Sequence, residues 1–226
     1  MHPALPTRPP GAGARLLPTD VSYVETTVER PYVELFPAER RVASGYAPQR
    51  RAEFATGRAC ARDALAALGL QQDAILPRPA GDPVWPERVV GSITHCTGYR
   101  AAAVGFASSY DGIGIDAEPH LALPADVLRA VARPGELAAL AALPANGTAW
   151  DRVLFSAKES AYKAWFPLAR GEVLATGIDV RLQPEGVFDA VIADRVMRGR
   201  WTVTSTLVHT AVSVPHAGPA SAPRTG

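Results

Sequence analysis

Gly112-Ile113-Gly114-Ile115-Asp116-Ala117-Glu118 is the stretch on which both the fold and the chemistry turn. Side chains of an extended segment alternate with period two, so Ile113, Ile115 and Ala117 face a core. Gly112, Gly114, Asp116 and Glu118 then share the other face. Two carboxylates pointing the same way repel unless a cation sits between them. Two hard oxygen donors, beside glycines that leave room for a ligand, suit Mg²⁺ with part of its water shell and a phosphate. Alone, the pair reads first as a solvent-facing strand end with two hydrated acids.

The second acidic element is helical. In residues 149–168, steps of about 100° per residue put Leu154, Ala157, Ala161, Trp165 and Leu168 on one stripe. Ser156, Glu159 and Lys163 gather opposite, with Glu159 and Lys163 one turn apart; by themselves these two make an ordinary exposed ion pair. Lys158 differs, because it falls at the edge of the apolar stripe, where an ammonium needs an anionic partner. A phosphate would supply one. The third element, Gly91-Ser92-Ile93-Thr94-His95, sets a histidine at the end of an apolar strand before a Thr-Gly turn. That histidine reads either as a phosphate donor or as a hydrogen-bonded structural residue. Pairing of His95 with Cys96 as a thiol protease dyad is excluded, since neighbours on a strand point to opposite faces.

Around these elements, the periodicity predicts a basic helix at 49–68 carrying Arg50, Arg51, Arg58 and Arg62, and strands at 89–95 and 100–106 joined at Thr97-Gly98. A strand at 111–118 follows, then an alanine-rich helix over 124–143 broken at Pro134-Gly135. Strands at 178–182, 186–192 and 201–214 close the chain, the last reading also as a hairpin. Pro and Gly density marks 1–18 and 215–226 as disordered tails.

Composition narrows the function classes. Lys plus Arg number 23 against 22 acids, and a net charge of +1 argues against general nucleic-acid binding. Two cysteines without a paired spacing suggest neither a disulfide framework nor a zinc site, which fits a reducing cytoplasm. Residues 1–18 lack the apolar core of a signal peptide, and no apolar run is long enough to span a bilayer.

In the order GSITH, GIGIDAE and FSAKESAYKA, with about 20 residues from His95 to Asp116 and about 40 from Glu118 to Glu159, the chain resembles the 4′-phosphopantetheinyl transferase superfamily. The basic segment RRAEFATGR agrees, and the resemblance covers roughly residues 40–170. Length suits the surfactin-synthetase-activating type, a single-chain pseudo-dimer. Phrases such as THCTGYR, GIDAEPH and AYKAWFPL resemble actinobacterial members.

The resemblance implies an α+β fold of two similar subdomains, 19–108 and 109–214, each a small antiparallel sheet on a long helix, with the site between them. It implies that Asp116, Glu118 and Glu159 hold Mg²⁺, or Mn²⁺ in its place, against the pyrophosphate of coenzyme A. Lys158 and Lys163 would neutralise phosphate charge, and His95 with Thr94 would bind phosphate oxygens. Arg50, or its neighbour Arg51, and Arg58 would meet the 3′-phosphate and adenine region. Where relatives carry a lysine before a Trp-Pro turn, this chain offers Arg78 at a shifted position. Glu159 would accept the proton of the serine of an acyl or peptidyl carrier protein, with Lys163 and His95 assisting. The implied enzyme is a cytoplasmic monomer with no nucleic-acid or membrane partner. Its carriers would be domains of fatty-acid, polyketide or nonribosomal peptide synthases. Two rivals stand beside it: another Mg²⁺-dependent phosphotransferase or hydrolase, and an inactive coenzyme A binding module.

Overall fold

The computed structural model describes residues 11–169, 177–193 and 195–217. Two antiparallel sheets lie face to face, and a long helix covers the outer side of each. In the first sheet β1 (Ser22–Thr26), β2 (Val89–Cys96) and β3 (Tyr99–Phe106) run in the order β1-β3-β2. A short helix α1 (Pro37–Ala43) precedes the long α2 (Pro48–Ala67), whose Cys60, Ala61, Ala64 and Leu65 pack on Ala102 and Val104 of β3. Pro48 opens α2 with the fixed φ a first turn wants, and Gly69, at φ 76°, stops it in a conformation that a side chain resists.

The second sheet joins β4 (Tyr110–Pro119), β5 (Asp179–Gln183), β6 (Val187–Ile192), β7 (Arg195–Val203) and β8 (Leu207–Pro215) in the order β4-β8-β7-β6-β5. Its outer face meets α5 (Trp150–Ala169) in a core that includes Val153, Leu154, Ala161, Phe188 and Ile192, with Trp150 set edge-on to Trp201 at 5.0 Å. The inner face of β4 and β8 (Ile113, Ile115, Ala117 and Ala211) packs on Tyr99, Ala101 and Ala103 of β3. Each half thus runs strand, long helix, then a hairpin whose second strand pairs with the first strand: β1-β3-β2 answers β4-β8-β7.

Several expectations are corrected. The break expected at Pro134-Gly135 in the helix over 124–143 is present and makes two full helices of it, α3 (Ala125–Val131) and α4 (Pro134–Ala141), because Pro134 holds Arg133 in an extended conformation. The last strand is the hairpin β7–β8, beginning at Arg195 rather than 201 and turning at Thr204, whose hydroxyl takes the N–H of Leu207 at 2.9 Å. Residues 11–18 are not a loose tail, since Leu16 and Leu17 are buried between the sheets; residues 1–10 lie outside the described residues. At the other end His216 donates its backbone N–H to Ser109, and 218–226 lie outside the described residues. Among the described residues no helix is long and apolar enough to cross a membrane.

The glycines of β4 serve the helix. A Cβ on Gly114 would meet the backbone oxygen of Ser160, and one on Gly112 that of Ala164, so the space read as room for a ligand is filled by α5. Backbone cannot swing aside as a flexible side chain does. Gly114→Ala should therefore cost about 3 kcal/mol of stability, read as a lowered midpoint in denaturant; a loss under about 0.5 kcal/mol would contradict the seating.

Candidate active site

Strands β2 and β4 are edges of their sheets, and side-chain hydroxyls join them. Ser92 Oγ accepts the N–H of Ile115 and Thr94 Oγ1 that of Ala117, each at 3.1 Å. Unpaired strand N–H groups inside a protein are costly, so this row of hydroxyls both closes the seam and fixes β4 against β2. Asp116 sits buried in it. Its Oδ1 accepts from Lys163 Nζ at 2.7 Å and from Thr94 Oγ1 at 3.1 Å, while Oδ2 accepts from Ser156 Oγ at 2.8 Å. Thr210 donates to the Ser156 carbonyl at 2.8 Å, and the Ser156 proton goes to the carboxylate, which can only accept.

Glu118, the next residue on the same face, accepts from Arg152 Nη1 at 2.9 Å. Burial and then the charge of Asp116 push its carboxyl up to about 7, against the opposing pull of Arg152 and Lys163. Glu159 is raised as well, by burial first and by Asp116, with Lys163 opposing. Both glutamates therefore feel Asp116, and a crowd of hard anionic oxygens is the donor set a divalent cation takes. In kind and charge the residues fit such an ion. Their oxygens are not gathered for it: among the described residues no three His, Cys, Asp or Glu side chains are set to hold a metal ion. Asp116 is turned to Lys163 and Ser156, and Glu118 to Arg152, because each acid takes the nearest donor.

The raised Glu118 has a consequence for stability. A carboxyl whose folded pKa lies above its ordinary value binds more protons folded than unfolded, so its contribution is full below about pH 4.5 and is lost as pH rises through 7. Without divalent ions, Glu118→Gln should gain on the parent in thermal midpoint as pH rises across that window. A difference independent of pH would contradict the shift.

Beside the acids opens a cleft of about 350 Å³ walled by Trp85, Tyr162, Phe166 and Pro167, with Glu159 and Lys163 in its lining. Trp85 is fixed by its indole N–H on the Gly91 carbonyl at 3.0 Å. Arg78 also lines the cleft, held by Asp82 at 2.5 Å. Past the seam, Arg50 Nη1 donates to His95 Nε2 at 2.7 Å, and Glu53 lies 3.6 Å from Nδ1. Burial, with Arg50, Lys163 and Arg100, lowers the pKa of His95 against the pull of Glu53. Arg58 is set deeper, donating to the Ile75 carbonyl at 2.6 Å with its guanidinium 4.4 Å from the Phe54 ring centre; burial pulls it down to about 10.

A family model for the 4′-phosphopantetheinyl transferase N-terminal domain matches residues 38–105, and one for the 4′-phosphopantetheinyl transferase superfamily matches residues 112–214. The chain is 44% identical over 197 residues to the 4′-phosphopantetheinyl transferase Svp of Streptomyces mobaraensis, covering 81% of this chain and 80% of the relative. It is 39% identical over 208 residues to the 4′-phosphopantetheinyl transferase PptT of Mycobacterium tuberculosis, covering 85% and 92%. It is 44% identical over 153 residues to the 4′-phosphopantetheinyl transferase Npt of Nocardia iowensis, covering 68% of each. The chain belongs to the 4′-phosphopantetheinyl transferase superfamily.

Within this phosphopantetheinyl transferase, three residues expected at phosphate are engaged elsewhere. Lys158 is buried, and its Nζ donates to Glu136 at 2.7 Å and to the carbonyls of Val131 and Ile178. The anion its position demanded is a glutamate. Thr94, also buried, spends its hydroxyl on Asp116 and Ala117. Arg51 caps the chain before α2, donating to the carbonyls of Ala43, Ser44 and Tyr46. Ser156, known from sequence only as a neighbour of Glu159 on the polar stripe, proves to hold Asp116. Arg152 was missed, although a signal existed: Arg152, Ser156, Glu159 and Lys163 recur at spacings of about 3.6 residues, one polar face of a helix. That face runs along β4.

Proposed function

We infer that the protein transfers the 4′-phosphopantetheine arm of coenzyme A to a serine hydroxyl of an apo acyl or peptidyl carrier protein, releasing 3′,5′-ADP. One divalent cation, Mg²⁺ or Mn²⁺, would be held by Asp116, Glu118 and Glu159. The observation that carries this reading is the crowding of three carboxylates with Lys163 at the cleft: Asp116 raises both Glu118 and Glu159, and Lys163 opposes it in each. Bound there, the cation supplies neutralisation of pyrophosphate charge.

The chain's own residues account for the rest. Serine oxygen forms a bond to the β-phosphorus as the bond to the 3′,5′-ADP oxygen breaks, and positioning with charge neutralisation is what such a transfer needs. Glu159, made more basic by burial, takes the serine proton at its carboxylate. Lys163 neutralises phosphate oxygens. His95, lowered where it stands, gains its proton when a phosphate joins Glu53 as an anionic neighbour, and then donates. Arg50 and Arg58 take the 3′-phosphate end. Trp85, Tyr162 and Phe166 wall the arm from water, with Arg78 at the lining in place of the relatives' lysine.

We further propose division into subdomains at about 108/109, a monomeric state, a cytoplasmic location, and carriers from fatty-acid, polyketide or nonribosomal peptide synthases. Carriers of acidic character would meet the arginines of the first half. Release of 3′,5′-ADP, followed by chromatography with Mg²⁺, coenzyme A and an apo-carrier, tests the transfer. Release should match the carrier added and vanish when the carrier serine is alanine; release without carrier would make the protein a hydrolase.

A further inference from the structure

Arg152 has a second set of contacts that the transfer does not use. While Nη1 donates to Glu118, Nε donates to the Leu121 carbonyl at 2.9 Å and Nη2 to that of Ala122 at 3.3 Å. These carbonyls belong to residues 119–123, the segment that leaves β4 on the rim of the site. The ends of the segment are tied independently. His120 takes the N–H of Ala149 at Nε2 and so donates from Nδ1 to the Thr204 carbonyl at 3.0 Å, and Leu123 donates to Asp151 at 2.8 Å. Among the contacts of the described residues, only the middle of the segment hangs on a side chain that is also bound to a metal-ligand candidate. Leu121 there is 68% exposed.

We propose that Arg152 is a positioning residue that couples Glu118 to the rim segment 119–123, so that a divalent cation taken by Glu118 loosens that segment. The guanidinium fork is planar and spans a carboxylate and two carbonyls at once. A cation that draws the Glu118 oxygens away removes the only charged partner that fork has among the described residues, and the two carbonyls alone hold it less firmly. Arg152 and the cation thus compete for one carboxylate. The inference rests on the proposed cation site.

Hydrogen exchange of 119–123, with and without Mn²⁺, and Mn²⁺ affinity by electron paramagnetic resonance test it together. In the parent protein Mn²⁺ should speed exchange of the segment at least threefold; unchanged exchange with Mn²⁺ bound overturns the coupling. Arg152→Gln should exchange rapidly in both states and bind Mn²⁺ at least threefold more tightly. A surviving response to Mn²⁺, or unchanged affinity, overturns the proposal. Arg152→Lys keeps the charge but cannot span all three oxygens, so it should bind Mn²⁺ as the parent does while its segment exchanges fast; a parent-like segment overturns the role of the fork. If Mn²⁺ binds Asp116→Asn as well as the parent, the cation site itself is wrong and the coupling falls with it.

Discussion

Asp116→Asn is expected to lower kcat about a hundredfold, or about 2.7 kcal/mol in barrier height, with saturating coenzyme A and carrier. Asparagine keeps the shape; its amide oxygen can still accept from one of Thr94 and Ser156, which face the two carboxylate oxygens, and its NH2 group can donate to the other hydroxyl. What it removes is the charge. Lys163 loses its anion at 2.7 Å, and the acidic cluster loses the member whose field raises Glu118 and Glu159. The neutral variant should therefore fold, with a thermal midpoint within a few degrees of the parent, and fail in turnover and in divalent-ion affinity together. Turnover within threefold of the parent would mean that the charge is not used. Glu159→Ala should fall at least about tenfold by the same assay, because it loses the proton acceptor as well as a ligand.

Lys158→Met is expected to cost about 3–5 kcal/mol of stability, because truncating one partner leaves a buried charge unanswered. The pair is sealed, with side chains 2% and 3% exposed, and Glu136 also takes the N–H groups of Val180 and Arg133. It thus ties α4, α5 and the edge strand β5 together. Lys158→Met with Glu136→Gln should recover part of the loss, since a neutral amide still serves one backbone N–H without leaving a charge. At a temperature where the double variant is folded, KM for coenzyme A should stay near that of the parent. A stable single variant with a raised KM would instead return Lys158 to the phosphates.

The contrast between Lys158 and Lys163 marks how far the sequence could be read. Both sit in one helical motif, and the family resemblance assigns both to phosphate; the deciding fact is Glu136, 22 residues away in a helix with no charge pattern of its own. The long amphipathic elements were legible. α2, β2, β3, β4 and α5 fall within about two residues of their expected bounds, because each buries one clear face. β1 was not, since its five residues are all half-buried and show no alternation. Nor was α1, whose inward residues are Ala43 and Glu39, the latter buried on Arg62 at 2.8 Å; a polar core position carries no hydrophobic periodicity. At the site, the placing of Asp116 and Glu118 on one face of β4 was legible from spacing. The groups that aim them, Thr94, Ser156 and Arg152, owe their roles to the meeting of β2, β4 and α5, which no local pattern encodes.

The central claim is that this chain loads carrier proteins, and the intact mass of an apo-carrier after incubation tests it most directly. With the protein, coenzyme A and Mg²⁺, the carrier should gain one phosphopantetheine mass at its serine, and none when Asp116→Asn replaces the parent at equal concentration and time. A carrier of unchanged mass across fatty-acid, polyketide and nonribosomal peptide types, with the protein folded and coenzyme A bound, would contradict the account.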